Sequence, residues 1–341
     1  MTSETRPAVG ILDNLLTPIA PLLSDPRTED IAINQPGKAW VYQSGTWHPV
    51  DVPYDIDALW EIAILASKLS RQFVCAENPL CGTELPRGER LQICADPTVP
   101  SGTLSLTLRK PDKTLFPLSA IHQRYRSTHW NRWSKETDEK DFTRLIALYD
   151  KGDIHDFLAE VVAARLNIIL AGSTAASKTS LSKMICTQID PRERLITIEA
   201  AREMELAQPN VVRLTYQDGG VSAADLLKAT LWMRPDRVML PELRDSQAGW
   251  VFIHDTISGH PGSVTGIHAQ TASGAVKRLY ALISGAPEAP RDKETTLALL
   301  GAAVDLIIPL ARSEMDFNIR STWFKGDAQR RGETLADLLR D

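Results

Sequence analysis

Lys178 and Thr179 close a run of small residues that opens at Gly172, in the stretch Gly172-Ser-Thr-Ala-Ala-Ser-Lys-Thr179. An amine and a hydroxyl side by side at the end of such a loop suit phosphate chemistry. Backbone N–H groups and a helix N-terminus surround the anion, the lysine neutralises its outer phosphates, and the hydroxyl coordinates magnesium. The spacing is that of a phosphate-binding loop, G-x-x-x-x-G-K-[ST], with Ser177 where the second glycine belongs. A side chain at a position that must approach phosphate closely or take a positive φ costs roughly 1–2 kcal/mol, which is expected to weaken binding about tenfold.

Two acids stand at the ends of apolar runs that read as strands. Arg237-Val-Met-Leu-Pro-Glu242 places Glu242 where an acid meets magnesium and the attacking water, and Arg194-Leu-Ile-Thr-Ile-Glu199 supplies a second acid. Such an acid alone is structural as often as functional. The glycine-rich segment from Ser258 to His268 carries His260 and His268 into a further strand. Loop, acids and histidines together point to a nucleotide site.

The elements that must position these groups follow from periodicity. Asn167–Ala171 reads as a strand, and Leu181, Met184 and Ile185 recur at helical spacing across a helix at 178–188. Strands at 194–199, 211–215, 237–240 and 263–268 alternate with helices at 223–232, 246–257 and 272–284, the pattern of an α/β fold with a mostly parallel sheet. The N-terminal part differs. It reads as a helix at 9–24, a strand at 30–34, a hairpin about Ser44-Gly45, a helix at 56–69 with Trp60, Ile64, Leu65 and Leu69 on one side, and paired strands at 90–95 and 103–109. The expected division is a smaller α+β domain over 1–121, a polar linker over 122–153 and a nucleotide-binding domain over 154–341. The stretch over 122–153 reads as an interdomain linker or an exposed helix pair; Trp130 and Trp133 punctuate its charged run, and Arg124, Arg126 or Arg132 could reach phosphate or a neighbouring chain. Beyond Glu314, a closing strand and a final short helix are expected.

A chain of 341 residues with 43% apolar and 24% charged residues is an ordinary globular composition, long enough for two domains. A net charge of −5 argues against a generally basic nucleic-acid coat. Cys75, Cys81, Cys94 and Cys186 form no CxxC pair, so reduced thiols are expected. No secretory signal is evident and Asp305 interrupts the apolar run from Leu297 to Ala311, so a cytoplasmic protein with at most peripheral membrane contact is expected.

The ordered set ELPRGER, SLTLRKP, phosphate loop, LITIE, MRPDRVMLPELR and SGHPGSVTGIHA resembles the secretion (traffic) ATPases, most of all the hexameric ATPase of type IV secretion and conjugation machines. The resemblance runs over roughly residues 25 to 310. Related type II secretion and pilus ATPases carry an added four-cysteine zinc segment that this chain lacks. The resemblance implies a RecA-like C-terminal domain and a homo-hexameric ring with ATP and Mg2+ between the two domains. It also implies inner-membrane secretion components as partners, with no direct nucleic-acid specificity. By matching motifs, Gly172, Ser173, Thr174, Ala175, Ala176, Ser177, Lys178, Thr179 and Ser180 hold phosphate. Thr179 and Glu242 hold magnesium directly or through water, Glu242 and Glu199 are the catalytic acids, His268 senses the γ-phosphate, and Arg109 closes over the nucleotide.

Departures from the family pattern gather at the site. Ala175 and Ser177 replace glycines, Ala200 an aspartate, Trp232 an arginine and Pro241 a glycine. The expected activity is therefore ATP hydrolysis by a ring ATPase, slowed by these changes. The alternative is a non-catalytic ring or scaffold subunit of the same machinery.

Overall fold

In the computed structural model the described residues are 5–112, 115, 117–121, 140–313 and 316–340; the linker positions Arg124, Arg126, Trp130, Arg132 and Trp133 lie outside them. The N-terminal domain is a six-stranded antiparallel sheet built from β1 (Thr28–Gln35), β2 (Lys38–Gln43), β3 (Thr46–Asp51), β4 (Leu80–Glu84), β5 (Arg90–Cys94) and β6 (Ser105–Arg109), in the order β3-β2-β1-β6-β5-β4. The expected pair is β5–β6, with Arg90 opposite Arg109. Strand β4 was not legible, because Gly82 interrupts its alternation.

The expected helix at 9–24 is broken into Thr5–Leu15, a short turn at Thr17–Ile19 and Ala20–Ser24. Pro18 and Pro21 each lack the N–H that would continue the preceding helix, and each opens a new turn. The helix Ile56–Leu69 is capped by Asp55, which accepts the Ala58 N–H at 2.8 Å. Its buried face is Leu59, Ile62, Ala63 and Ala66 rather than the expected one, and Ile64 is exposed. The alanines let the helix lie close on the sheet, so the bulkier flank ends at the rim.

The C-terminal domain holds an eight-stranded sheet of β7 (Ile168–Gly172), β8 (Leu195–Glu199), β9 (Val211–Thr215), β10 (Arg237–Leu240), β11 (Val264–Ile267), β12 (Leu306–Arg312), β13 (Phe317–Ile319) and β14 (Trp323–Phe324). Its order is β13-β12-β7-β11-β10-β8-β9, parallel from β12 to β9, with β13 and β14 antiparallel to β12. Asp305 does not merely interrupt an apolar run. Its buried carboxylate accepts the Asn167 N–H at 3.0 Å and pairs with Lys140 at 2.6 Å, which seats β12 beside β7.

The expected linker does not extend to residue 153. Thr143–Lys151 and Ile154–Ala163 form a helical pair, turned at Gly152 with φ 73°. Phe142 and Phe157 both pack on Phe324, with ring centroids 5.4 and 5.3 Å apart. The apolar face of that pair belongs to the C-terminal core.

The two domains meet through buried polar groups. Arg194, fully buried, donates to Asn34 Oδ1 at 3.0 Å and to Thr107 Oγ1 at 3.3 Å in the N-terminal domain. In its own domain it donates to Asn210 Oδ1 at 2.7 Å and to the Met233 carbonyl at 3.1 Å. Arg234 lies over the Tyr42 ring at 3.7 Å and ion-pairs with buried Asp30 at 3.1 Å, without hydrogen-bond alignment. Burial raises the Asp30 pKa, and Arg234 and Arg109 oppose that rise.

Candidate active site

Parallel strands bring their carboxyl ends to one edge, and the sequence motifs stand at those ends. Gly172 ends β7, Glu199 ends β8, Glu242 follows β10 by two residues and His268 follows β11 directly. Between them lies a cleft of about 640 Å³ lined by Thr174, Ala175, Ala176, Ser177, Lys178, Thr179, Ser180, Glu199, Glu242 and His268. Such crevices beyond the carboxyl ends of strands are where α/β sheets bind ligands.

The loop backbone takes the shape its glycine pattern anticipates. Ala175 has φ 60° and Ser177 φ 63°, both left-handed, at the two positions where glycine is missing. For a residue other than glycine that conformation costs roughly 1–2 kcal/mol. Ser177→Gly is expected to relieve the cost and to raise nucleotide affinity by up to about tenfold. Isothermal titration of both proteins checks this; unchanged affinity would place the strain on folding instead.

Lys178 Nζ donates to the carbonyls of Gly172 and Ser173, both at 2.9 Å, so those two residues meet the lysine rather than line the cleft. Burial lowers the lysine's pKa, with nearby Glu242 pulling it back up. Gly266 matters here, since a Cβ on it would lie 2.1 Å from the Pro241 carbonyl oxygen and 3.4 Å from Lys178 Cδ. Glycine lets the chain carrying Glu242 pass close to β11.

Glu242 sits between two partners. His268 Nε2 lies 2.6 Å from its Oε1, and Arg244 Nη2 donates to its Oε2 at 2.6 Å. Burial raises the carboxyl's pKa, but Arg244 and His268 outweigh it and leave Glu242 below the ordinary glutamate range. With the carboxylate ionised, the His268 ring carries the proton on Nε2 and donates it.

Glu199 behaves differently. It is buried, its Oε1 accepts from Thr197 Oγ1 at 2.8 Å, and its Oε2 accepts the N–H groups of Glu203 and Met204, both at 2.7 Å. Both oxygens are engaged in shaping the loop after β8. His260 lies at the opposite end of β11, half-buried, where burial lowers its pKa. Only one of the two histidines reaches the cleft.

Arg109 is not brought to the loop either. It lines a separate cavity in the N-terminal domain and pairs with Asp30, at 4.0 Å. Of the other departures, Ala200 and Pro241 line the cleft, whereas Trp232 stacks with Arg90 of the N-terminal domain at 5.5 Å. The structure adds residues not singled out from sequence: Arg244, Tyr216, Arg312 and Phe317. Arg244 was adjacent in PELR, but Arg312 and Phe317 arrive only through the β12–β13 hairpin, with the guanidinium 5.9 Å from the ring centroid.

Comparison with known proteins agrees with this geometry. The family model described as "Type II/IV secretion system protein" matches residues 135–321. The chain is 43% identical over 333 residues to Protein VirB11 of Rhizobium radiobacter, covering 95% of this chain and 97% of that one. It is 33% identical over 349 residues to the type IV secretion system protein VirB11 of Bartonella quintana, covering 97% and 96%. Among solved structures, the VirB11 ATPase from the Brucella suis type IV secretion system, in complex with sulphate, superposes with a TM-score of 0.90 at 30% identity, covering 98% of this chain and 99% of that one. With loop, acid and histidine at one edge of the sheet and relatives matched across nearly their whole length, the chain belongs to the type II/IV secretion system protein family, among its VirB11-like ATPases.

Proposed function

We propose that the cleft binds ATP with Mg2+ and hydrolyses it to power type IV secretion, in a homo-hexameric ring at the cytoplasmic face of the bacterial inner membrane, alongside inner-membrane secretion components. Among the described residues no helix is long and apolar enough to cross a membrane. The observation that carries the reading is the His268–Glu242 pair in the same cleft as Lys178 and Thr179.

In this reading the loop N–H groups and Lys178 hold the phosphates, Lys178 exchanging its loop carbonyls for phosphate oxygens. Thr179 and Glu242 offer hard oxygen donors on one cleft, a set that fits Mg2+, which when bound would neutralise phosphate charge. Glu242 polarises a water whose oxygen bonds the γ-phosphorus as the bond to the β–γ bridging oxygen breaks, ADP leaving with that electron pair. Arg244 must first release the carboxylate. His268 keeps it oriented and stands where the γ-phosphate is sensed. Glu199 acts as a positioning residue for the loop beyond β8, and the Phe317–Arg312 surface receives the base. Support for turnover over the scaffold alternative comes from the retention of Lys178, Thr179, Glu242 and His268 in one cleft and from relatives named as ATPases.

Lys178→Ala is expected to lower ATP hydrolysis by about 10²–10³-fold, through lost charge stabilisation. Steady-state phosphate release from the two proteins side by side tests it. Wild-type activity no greater than that of the variant would sink the ATPase reading.

A further inference from the structure

We propose that Arg244 is a brake on the Glu242 carboxylate, and that Asp218, on the turn after β9, is the acid that receives the guanidinium when the brake is released. The proposal rests on the ATPase reading above and names the residues that regulate that site. Glu242 meets His268 through Oε1 and Arg244 through Oε2, each at 2.6 Å. His268 stays to orient the carboxylate, so Oε2 is the oxygen left for the attacking water. That is the oxygen the guanidinium covers. A charged donor at this position lowers the basicity of the carboxylate and occupies the water's place.

The backbone is held on both sides of Arg244, so release is a movement of the side chain alone. Leu243 is buried, and its N–H donates to the Gly266 carbonyl at 2.8 Å. Asp245 caps the helix Ser246–Val251 by accepting the Ala248 N–H at 2.8 Å. Between these two anchors the Arg244 side chain is exposed and can turn.

A guanidinium that leaves Glu242 needs another anion, and Asp245 is already engaged at its helix cap. Tyr216 lines the same cleft as Arg244, and its N–H donates to the Glu199 carbonyl at 3.0 Å, which fixes the end of β9. The chain then turns, with the Gln217 N–H donating to the Val221 carbonyl at 3.2 Å and Gly219 at φ 78°. The turn presents Asp218, which is exposed and, among the described residues, accepts no hydrogen bond and makes no ion pair. The bond to Glu242 raises the Arg244 pKa most, burial opposes that rise, and Asp218 adds to it, so the field of Asp218 already reaches the guanidinium. Two acids compete for one cation, one of them catalytic and the other idle. An exposed ion pair biases such a competition by a few-fold, which slows turnover without blocking it.

The test is a double-mutant cycle in steady-state ATP hydrolysis by the full-length chain. Arg244→Gln is expected to raise kcat by about two- to fivefold with KM within about twofold of wild type, because the loop and Lys178 are untouched. Asp218→Asn is expected to lower kcat by a similar factor on its own and to change nothing once Arg244→Gln is present. Both side chains are exposed, so the variants keep the fold. Arg244→Gln no faster than wild type would overturn the proposal, and a clear loss would put the guanidinium on the γ-phosphate instead. An Asp218→Asn effect that is absent, or equal in both backgrounds, would also overturn it. Wild type no faster than Lys178→Ala would instead remove the ATPase reading, and this inference with it.

Discussion

Glu242→Gln is expected to lower the turnover number for ATP by about 10²–10⁴-fold while leaving nucleotide affinity within a few-fold of wild type. The amide keeps the shape of the side chain, so loop and cleft are preserved. It cannot take a proton from water or carry the negative charge that His268 and Arg244 now hold at 2.6 Å each. The pH profile separates this role from a structural one. Burial raises the Glu242 pKa, but its two cationic or donating neighbours outweigh that and place the folded value below the ordinary one, so the carboxylate stays ionised across neutral pH. Activity should fall on the acid side only below the ordinary glutamate range. On the alkaline side, burial depresses the Lys178 pKa, so activity should decline before free lysine titrates. Steady-state kinetics across pH, with fluorescent-nucleotide titrations for affinity, check both limbs. A loss in turnover smaller than tenfold would move the base role to another group, for which Glu199 is badly placed, because both of its oxygens already accept hydrogen bonds.

Arg194→Ala is expected to destabilise the protein by about 3–5 kcal/mol, the usual cost of removing one member of a buried charged network. The guanidinium is fully buried and its pKa is held down to about 10 by that burial, with Asp236 and Asp30 pulling it up. Its removal leaves acceptors on Asn34, Asn210 and the Met233 carbonyl facing a void, together with lost contact to the Trp47 ring. Two domains lose their shared hub at once. Urea denaturation with a probe in each domain measures the effect, and the two transitions should separate in the variant. A loss below about 1 kcal/mol would mean that water already reaches these groups.

The nucleotide site was the most legible part of the chain because its signals are local. Strand, loop and helix around Gly172 to Thr179 follow one another within a few turns of backbone, and the acids and His268 each sit at the end of a short apolar run. Parallel strands necessarily bring such ends to one edge. Elements went astray where a local rule met a second one. Pro18 and Pro21 divided a periodic helix, Gly82 masked β4, and Thr143–Lys151 looked like polar connector until its apolar residues met Phe324.

From sequence alone came the α/β class, the family resemblance, the phosphate loop and the identity of Glu242 and His268, since each depends on spacing along a few residues. Tertiary structure decided which candidates share a cleft. It withdrew His260 and Arg109 to other places, engaged both oxygens of Glu199 in backbone bonds, and brought Arg312 and Phe317 alongside the loop. It also decided how the domains face each other, through contacts such as Asn34 to Asn210, which are 176 residues apart in sequence. Contacts of that range leave no periodic trace in the chain, because the pairing is selected by mutual burial and not by the spacing of either partner.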